Sequence, residues 1–287
     1  MADYELGENR YGKSRIRLVS VRRGADRHDL RDLTVDVSLE GDFEAAHVSG
    51  DNANLVATDT MKNTVYALAK DRLTGSPEAF GLELARHFAA GPQVSRATIS
   101  LREHAWSRIE VDGALAPDAF LRSGAATRTA VVSVARDRSV VEAGIEDLTV
   151  LKTTRSAFAG FERDPYTTLA DTNDRIMATK ITATWGYGDA ALESGFDFDA
   201  AHGVLTDRLL ATFAEHESPS VQASIWIMGT AMLDVVPAID WVRMVLPNLH
   251  HWRVDLAPFG LDNPNEIFVS TTEPHGLIDA TVRRRGV

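Results

Sequence analysis

The chain has 287 residues, of which 44% are hydrophobic and 25% charged, the composition of a globular protein of one large or two ordinary domains; disordered, collagen-like and low-complexity classes are excluded. Its 30 Lys+Arg against 41 Asp+Glu give a net charge of −11, which disfavours nucleic acid as a partner and leaves room for a small anionic ligand. There is no Cys, so disulfides, thiolate metal sites, iron–sulfur ligation and cysteine nucleophiles are all removed.

The opening stretch, MADYELGENRYGKSR, has no apolar signal-like region, and nothing approaches the ~18 consecutive apolar residues of a membrane span. The closing ATVRRRGV is not a peroxisomal S-K-L address, so a cytoplasmic protein without a membrane partner is the expectation.

Residues 14–22 and 32–41 alternate polar and apolar, which predicts two strands of a half-solvated antiparallel sheet. From Asp59 the period changes: Met61, Val65, Leu68 and Ala69 fall at helical spacing, and a second helix opens at Pro77 and stops before Gly91. Strand alternation returns over 95–111 and 127–137. The order then recurs, with strands over 144–154 and 175–187, helices over 197–216 and 219–235, and strands over 239–246, 251–257 and 265–272. The succession is a tandem ββααββ repeat, an α+β fold dividing at 1–138 and 139–287. In the last helix Val221, Ile225, Met228, Met232 and Val235 form a core stripe, with Ser218 as N-cap and Pro219 as first residue. Its Met and Trp content reads as core packing. Gln222 lies in the first turn, where free N–H groups favour an anion, although spacing alone makes it a solvated Gln.

Two patterns match motifs and fail on context. Gly7, Gly12, Lys13 and Ser14 spell a phosphate-binding loop, yet a strand rather than a helix follows, so the phosphates have nothing to rest on. Gly186, Gly188 and Ala191 match a dinucleotide fingerprint outside any βαβ unit, and a turn accounts for them better. The 9 His contain no H-E-x-x-H or H-x-H spacing; His250 and His251 are adjacent in a strand and point to opposite faces, so they cannot both bind one ion, and one of them is expected to face either inward or toward a neighbour. No G-x-S-x-G elbow occurs.

What remains is a series of polar words with no stability role. Tyr11-Gly12-Lys13, Ala57-Thr58-Asp59-Thr60 with Lys62-Asn63-Thr64, Phe158 with Gly160-Phe161, Arg163-Asp164, Tyr166-Thr167-Thr168-Leu169, Asp174-Arg175, Pro247-Asn248 with His250, and Gly276-Leu277-Ile278 follow in this order. In these words the chain closely resembles the urate oxidase (uricase) family, and the series spans residues 11 to 278. Arg155 and Ala159, beside Phe158, depart from the family's pattern.

The resemblance implies two tandem T-fold units with antiparallel sheets and helices on one face, assembling as a homotetramer with active sites shared between subunits. It implies oxidation of urate by O2 and water to 5-hydroxyisourate and H2O2, with no cofactor and no metal. Carried over by position, Phe158 would stack on the purine, Arg175 and Gln222 would grip one edge, backbone groups of Val221 and Asp59 would add contacts, and Leu169 and Ile278 would be walls. Asn248 and His250 would lie over the face where dioxygen and water sit, with Lys13 and Thr58 supplied by a neighbouring subunit. In that scheme Lys13, Thr58 and His250 are catalytic. A planar, acidic, multiply hydrogen-bonding substrate suits an Arg fork, a Gln amide and an aromatic platform. For Lys13 to act as a base it must be neutral, a fall of ~3.4 units from the ordinary amine value of ~10.4; a charged Lys13 would instead stabilise the anion. The alternatives are another T-fold purine or pterin enzyme and a non-catalytic purine-binding homologue.

Overall fold

The two alternating stretches at the start form a long hairpin, β1 (Tyr11–Arg23) and β2 (His28–Gly41), in a computed structural model that describes residues 4–136, 138–193 and 195–286. Ile16 and Leu18 of β1 face the same way as Val35, Val37 and Leu39 of β2 and are buried, whereas Val19 on the other face is 57% exposed. A short helix, α1 (Glu44–Val48), precedes α2 (Thr58–Arg72) and α3 (Pro77–Ala89). Ser76 caps α3 by accepting the Ala79 N–H at 3.1 Å, and Pro77 takes the first helical position, where its missing N–H costs nothing. Next come β3 (Val94–Glu103), a hairpin of β4 (Trp106–Val111) and β5 (Ala114–Arg122), and β6 (Thr127–Ala135). β3 pairs antiparallel with β2 and with β6, and α3 lies on β3 and β6.

The second round consists of β7 (Arg138–Lys152), β8 (Met177–Tyr187), α4 (Phe198–Glu215), α5 (Val221–Val235), β9 (Ile239–Pro247), the hairpin β10 (His250–Arg253) and β11 (Phe268–Thr271), and β12 (Leu277–Arg283). β12 pairs antiparallel with β9, from Leu277 opposite Pro247 to Arg283 opposite Trp241. The tandem ββααββ order is present, with a two-stranded excursion between the third and fourth strand of each round.

That excursion corrects three sequence expectations. The alternation over 95–111 is two strands, β3 and β4, in different sheets. Residues 251–257 and 265–272 hold the excursion hairpin β10–β11, and the closing strand is β12, which lies beyond the predicted strands. The two kinds of miss differ: β4 and β5 have no buried residue, so no buried face marks where one strand stops, whereas β12 does alternate, with Ile278, Ala280 and Val282 against Asp279, Thr281 and Arg283, but is short and buries only Val282. The last helix needs correction too. Its N-cap is Ser220, which accepts the Ala223 N–H at 3.1 Å, and Pro219 lies outside the helix. Met228 and Met232 are core, but Trp226 is 63% exposed. Gly229 lets α5 settle against the sheet, since a Cβ there would stand 2.7 Å from Val282 Cγ2.

The chain divides into two compact units. One takes the chain up to Gly144 together with Gly186–Ala200; the other takes Ile145–Trp185 and the chain from Ala201 on. In the first, the strand order is β1-β2-β3-β6; in the second, β8, β9 and β12 follow the latter half of β7. The first unit also holds an ion-pair network that runs from its interior to its surface: Arg128 bonds Glu78, which is fully buried, at 2.6 Å and Asp199 at 2.5 Å, and Arg31 bonds Asp199 at 2.6 Å as well as Glu103. Burial raises the Glu78 pKa against the pull of Arg128, so this carboxyl relies on that partner to stay charged. Among the described residues no helix is long and apolar enough to cross a membrane.

Candidate active site

The first unit carries Lys13, Thr58 and Asp59. Lys13 pairs with Val37 and Ile16 with Val35, so Ser14 and Arg15 together face Asp36, a bulge in which Arg15 has φ 59° and its N–H is held by Asp36 Oδ1 at 2.5 Å. Such a bulge re-aims the side chains on either side of it, and here it follows Lys13 directly. Gly12 belongs to the same strand: a Cβ there would lie 1.8 Å from the Val37 carbonyl oxygen. The glycine that completes the phosphate-loop pattern therefore serves strand contact, and the residues after it continue β1 rather than open a helix.

The Tyr11 hydroxyl accepts the Val56 N–H at 2.7 Å and donates to the Val56 carbonyl at 3.2 Å, which ties β1 to the segment entering α2. No side chain caps α2, whose preceding residue is Ala57, so the N–H groups of Thr58 and Asp59 have no partner within the helix. Asp59 is exposed and bonds Lys62 and, at 3.0 Å, Asn63. Its pKa is held below the usual carboxylate range by the hydrogen bond and charge of Lys62, and the charge of Lys13 adds to that pull.

The second unit carries the rest. Phe158 and Thr172 exchange backbone hydrogen bonds of 2.8 and 3.0 Å, and the Arg175 N–H donates to the Ser156 carbonyl at 2.8 Å. These bonds set the Arg175 guanidinium carbon 5.4 Å from the centroid of the Phe158 ring. Arg175 Nε is buried and has no hydrogen-bond partner, and burial lowers the pKa of the group. A charged donor in that condition is costly unless an acceptor arrives, which marks it as a ligand-facing group. Phe161 stacks on Phe158 at 4.9 Å, and Arg163 lies over Phe161 and donates to the Leu169 carbonyl at 3.1 Å. Leu169 is thus held by its backbone, while its side chain is 47% exposed.

Asn248 follows β9; its N–H donates to the Gly276 carbonyl at 2.8 Å, and its amide nitrogen lies 3.5 Å from His250 Nδ1. His250 stacks on Trp252 at 5.1 Å, and its pKa is lowered by burial and by the charges of Arg175 and His275. The imidazole beside Arg175 is therefore a neutral one at neutral pH. Ile278, opposite Leu246 in β12, and Asn248 flank Gly276, whose Cβ would lie 3.9 Å from Ile278 Cδ1 and 4.0 Å from Asn248 Cβ. His251 donates from Nδ1 to the Leu249 carbonyl at 3.0 Å, and both adjacent histidines are half-buried, so of the two readings left open the core histidine is not the one seen.

Val221 and Gln222 form the first turn of α5, with their N–H groups unused by the helix, Val221 buried and Gln222 exposed. Ser218 fastens this turn to the Phe158 segment: it accepts the Ala157 N–H at 2.7 Å and donates its own N–H to the Arg155 carbonyl at 2.9 Å. The structure thus joins Phe158 to Arg175, Arg175 to His250 through its charge, and Asn248 to His250 and Ile278. Lys13, Thr58 and Asp59 form a separate group in the other unit. Sequence reasoning missed Thr172 and His275, which no local pattern marks, and read Ser218 only as a helix cap, not as the link to the Phe158 segment. Among the described residues no three His, Asp or Glu side chains converge as metal ligands. A cationic fork over an aromatic ring, beside a neutral imidazole and two free helix N–H groups, suits a planar anion rich in hydrogen-bond acceptors.

The uricase family model matches residues 9–133 and 141–279. A uricase of Arthrobacter globiformis is 46% identical over 98% of this chain and 90% of its own length. The crystal structure of uricase from that organism superposes with a TM-score of 0.94, covering 100% of this chain and 97% of that one at 46% identity. A uricase of Dictyostelium discoideum is 35% identical over 97% of each chain. With the repeat, the matched words and these likenesses in agreement over nearly the whole length, the chain belongs to the uricase family.

Proposed function

We propose that this protein oxidises urate with dioxygen and water to 5-hydroxyisourate and hydrogen peroxide, without metal or organic cofactor. The observation that carries the reading is the buried, unpartnered Arg175 Nε over the Phe158 ring, beside a neutral His250, in a chain of this family. Phe158 supports the purine plane; Arg175 and the Gln222 amide hold one edge; the backbone of Val221 adds a contact; Leu169 and Ile278 wall the ring. Asn248 and His250 face the plane on which dioxygen and then water act. Two electrons leave the urate ring for dioxygen, which takes up two protons as peroxide, while water adds its oxygen at C5. The protein's part is to position the reactants and move protons.

Lys13 and Thr58 serve as the proton relay, and the Asp59 backbone meets the substrate. In this reading they come from a neighbouring subunit of a homotetramer, each chain providing two T-fold units that divide near residue 138. The bulge after Lys13 and the free N–H groups opening α2 support it, since both present polar groups outward from the first unit.

The test is direct. Urate added to the protein in air-saturated, chelator-treated buffer should lose its ultraviolet absorbance while peroxide appears in near one-to-one ratio with the urate consumed. Turnover that vanishes on exhaustive chelation and returns with copper or iron would contradict the cofactor-free chemistry. No consumption under any condition would leave a purine-binding homologue in its place.

A further inference from the structure

Several buried polar side chains of the second unit join into one chain that none of the roles above uses. Ser224 is fully buried, Ser218 2% exposed and Lys152 8% exposed, and groups so placed are costly unless hydrogen-bonded. His216 Nδ1 lies 2.7 Å from the Thr212 carbonyl, which only accepts, so Nδ1 carries the proton. Nε2 of the neutral ring is then the acceptor for the Ser224 hydroxyl at 2.8 Å, and Ser224 Oγ in turn lies 2.8 Å from Ser218 Oγ. Burial favours this neutral ring, and the charges of Lys152 and Arg155 add to it against the hydrogen bond to Thr212. Lys152 Nζ donates to the His216 carbonyl at 2.6 Å, and Arg155 donates to the Ala214 and Glu215 carbonyls at 2.6 and 2.9 Å. The end of α4, where carbonyls lack helical partners, is thereby clamped by two cations.

The far end of this chain of bonds is the candidate site. Ser218 holds the backbone on both sides of Ser156, whose carbonyl holds the Arg175 backbone, and Ala157 precedes Phe158. On its other side, Ser218 stands two residues before the Ser220 cap and the Val221–Gln222 turn. We propose that His216 and Ser224, anchored by Lys152, are positioning residues that set the spacing between the Phe158–Arg175 platform and the Gln222 turn. The inference rests on the reading of that site as the urate site. Arg155, which departs from the family's pattern, belongs to the same anchor.

The variants Ser224→Ala, His216→Leu and His216→Gln separate this role from plain stability. Ser224→Ala and His216→Leu should raise KM for urate about tenfold with kcat within about threefold, because the grip on the ring slackens while Lys13 and His250 stay in place. His216→Gln keeps an acceptor within reach of the Ser224 hydroxyl and should restore KM to within about threefold of wild type. Nitrogen NMR of the His216 ring should also show the neutral, Nδ1-protonated form at neutral pH. Folded Ser224→Ala with an unaltered KM, a His216→Gln variant no better than His216→Leu, or a His216 ring protonated on both nitrogens would each overturn the proposal while wild-type turnover persists. A wild-type protein that neither binds nor oxidises urate would overturn the reading of the site, and this inference with it.

Discussion

Lys13→Met is expected to lower kcat on urate by at least about two orders of magnitude while KM changes little, the pattern of a group used in proton transfer and not in holding the ring. The ground for it is positional. Lys13 is the last residue of β1 before the bulge at Ser14 and Arg15, half-buried, and its charge reaches Asp59 at the start of α2, so lysine, helix turn and Thr58 form one polar group. Met keeps the length and apolar stem of the side chain and removes only the amine. Steady-state kinetics over a range of urate concentrations checks it. Wild-type turnover in the variant would make Gly12-Lys13-Ser14 an ordinary stretch of strand and move the proton chemistry elsewhere.

Arg175→Ala is expected to act on the other constant. A guanidinium that meets a urate anion through two charge-assisted hydrogen bonds contributes about 3–4 kcal/mol, so its removal should raise KM or the urate Kd by two to three orders of magnitude. Two further consequences follow from its neighbours. The Phe158 ring loses the cation held 5.4 Å from its centroid, and His250 loses one of the charges that keep it neutral. The acid limb of kcat/KM should therefore move to higher pH in Arg175→Ala, since a His freed of a nearby cation protonates more readily. Equilibrium dialysis under argon reads the binding term without turnover. A variant that binds urate as wild type does would remove Arg175 from the site and leave its buried Nε unexplained.

How much of this was written into the sequence depends on burial. β1, β2, α2, α3 and the stripe of α5 were legible because each buries one face, which imposes a period of two or of helical spacing. The bounds of β4 and β5 were not, because their faces meet solvent and nothing marks where one strand stops, and β12, though it alternates Ile278, Ala280 and Val282 against Asp279, Thr281 and Arg283, is a 7-residue strand with Val282 as its buried position. The start of α5 was ambiguous for a different reason. Ser218 and Ser220 flank Pro219 and both fit a capping pattern; the Ala223 N–H donated to Ser220 Oγ at 3.1 Å is what makes Ser220 the cap, and Ser218 binds the Phe158 segment instead.

The candidate site was legible only as an ordered series of words, not through spacing. Gln222 shows why: its pattern is that of a solvated helix residue, and it gains significance from the Ser218 bonds that bring its turn beside Phe158. Arg175 likewise has no local signature, since its neighbours Ser156, Phe158 and His250 lie far from it along the chain. The His216–Ser224 pair is the extreme case, a contact whose meaning depends on a ring tautomer and on a carbonyl four residues earlier.

Co-expression of Lys13→Met with Arg175→Ala tests the central claim most directly, namely that urate is oxidised at sites built from the first unit of one chain and the second unit of another. Each variant alone should be nearly inactive. In tetramers that assort at random, about a quarter of the sites receive both intact partners, so the co-expressed protein should regain on the order of 25% of wild-type activity. Mixing the separately purified variants should restore little, because the intact halves then remain in different assemblies. Co-expressed variants that stay inactive, with mass spectrometry showing mixed oligomers, would contradict the account by placing Lys13 and Arg175 in the same chain's site.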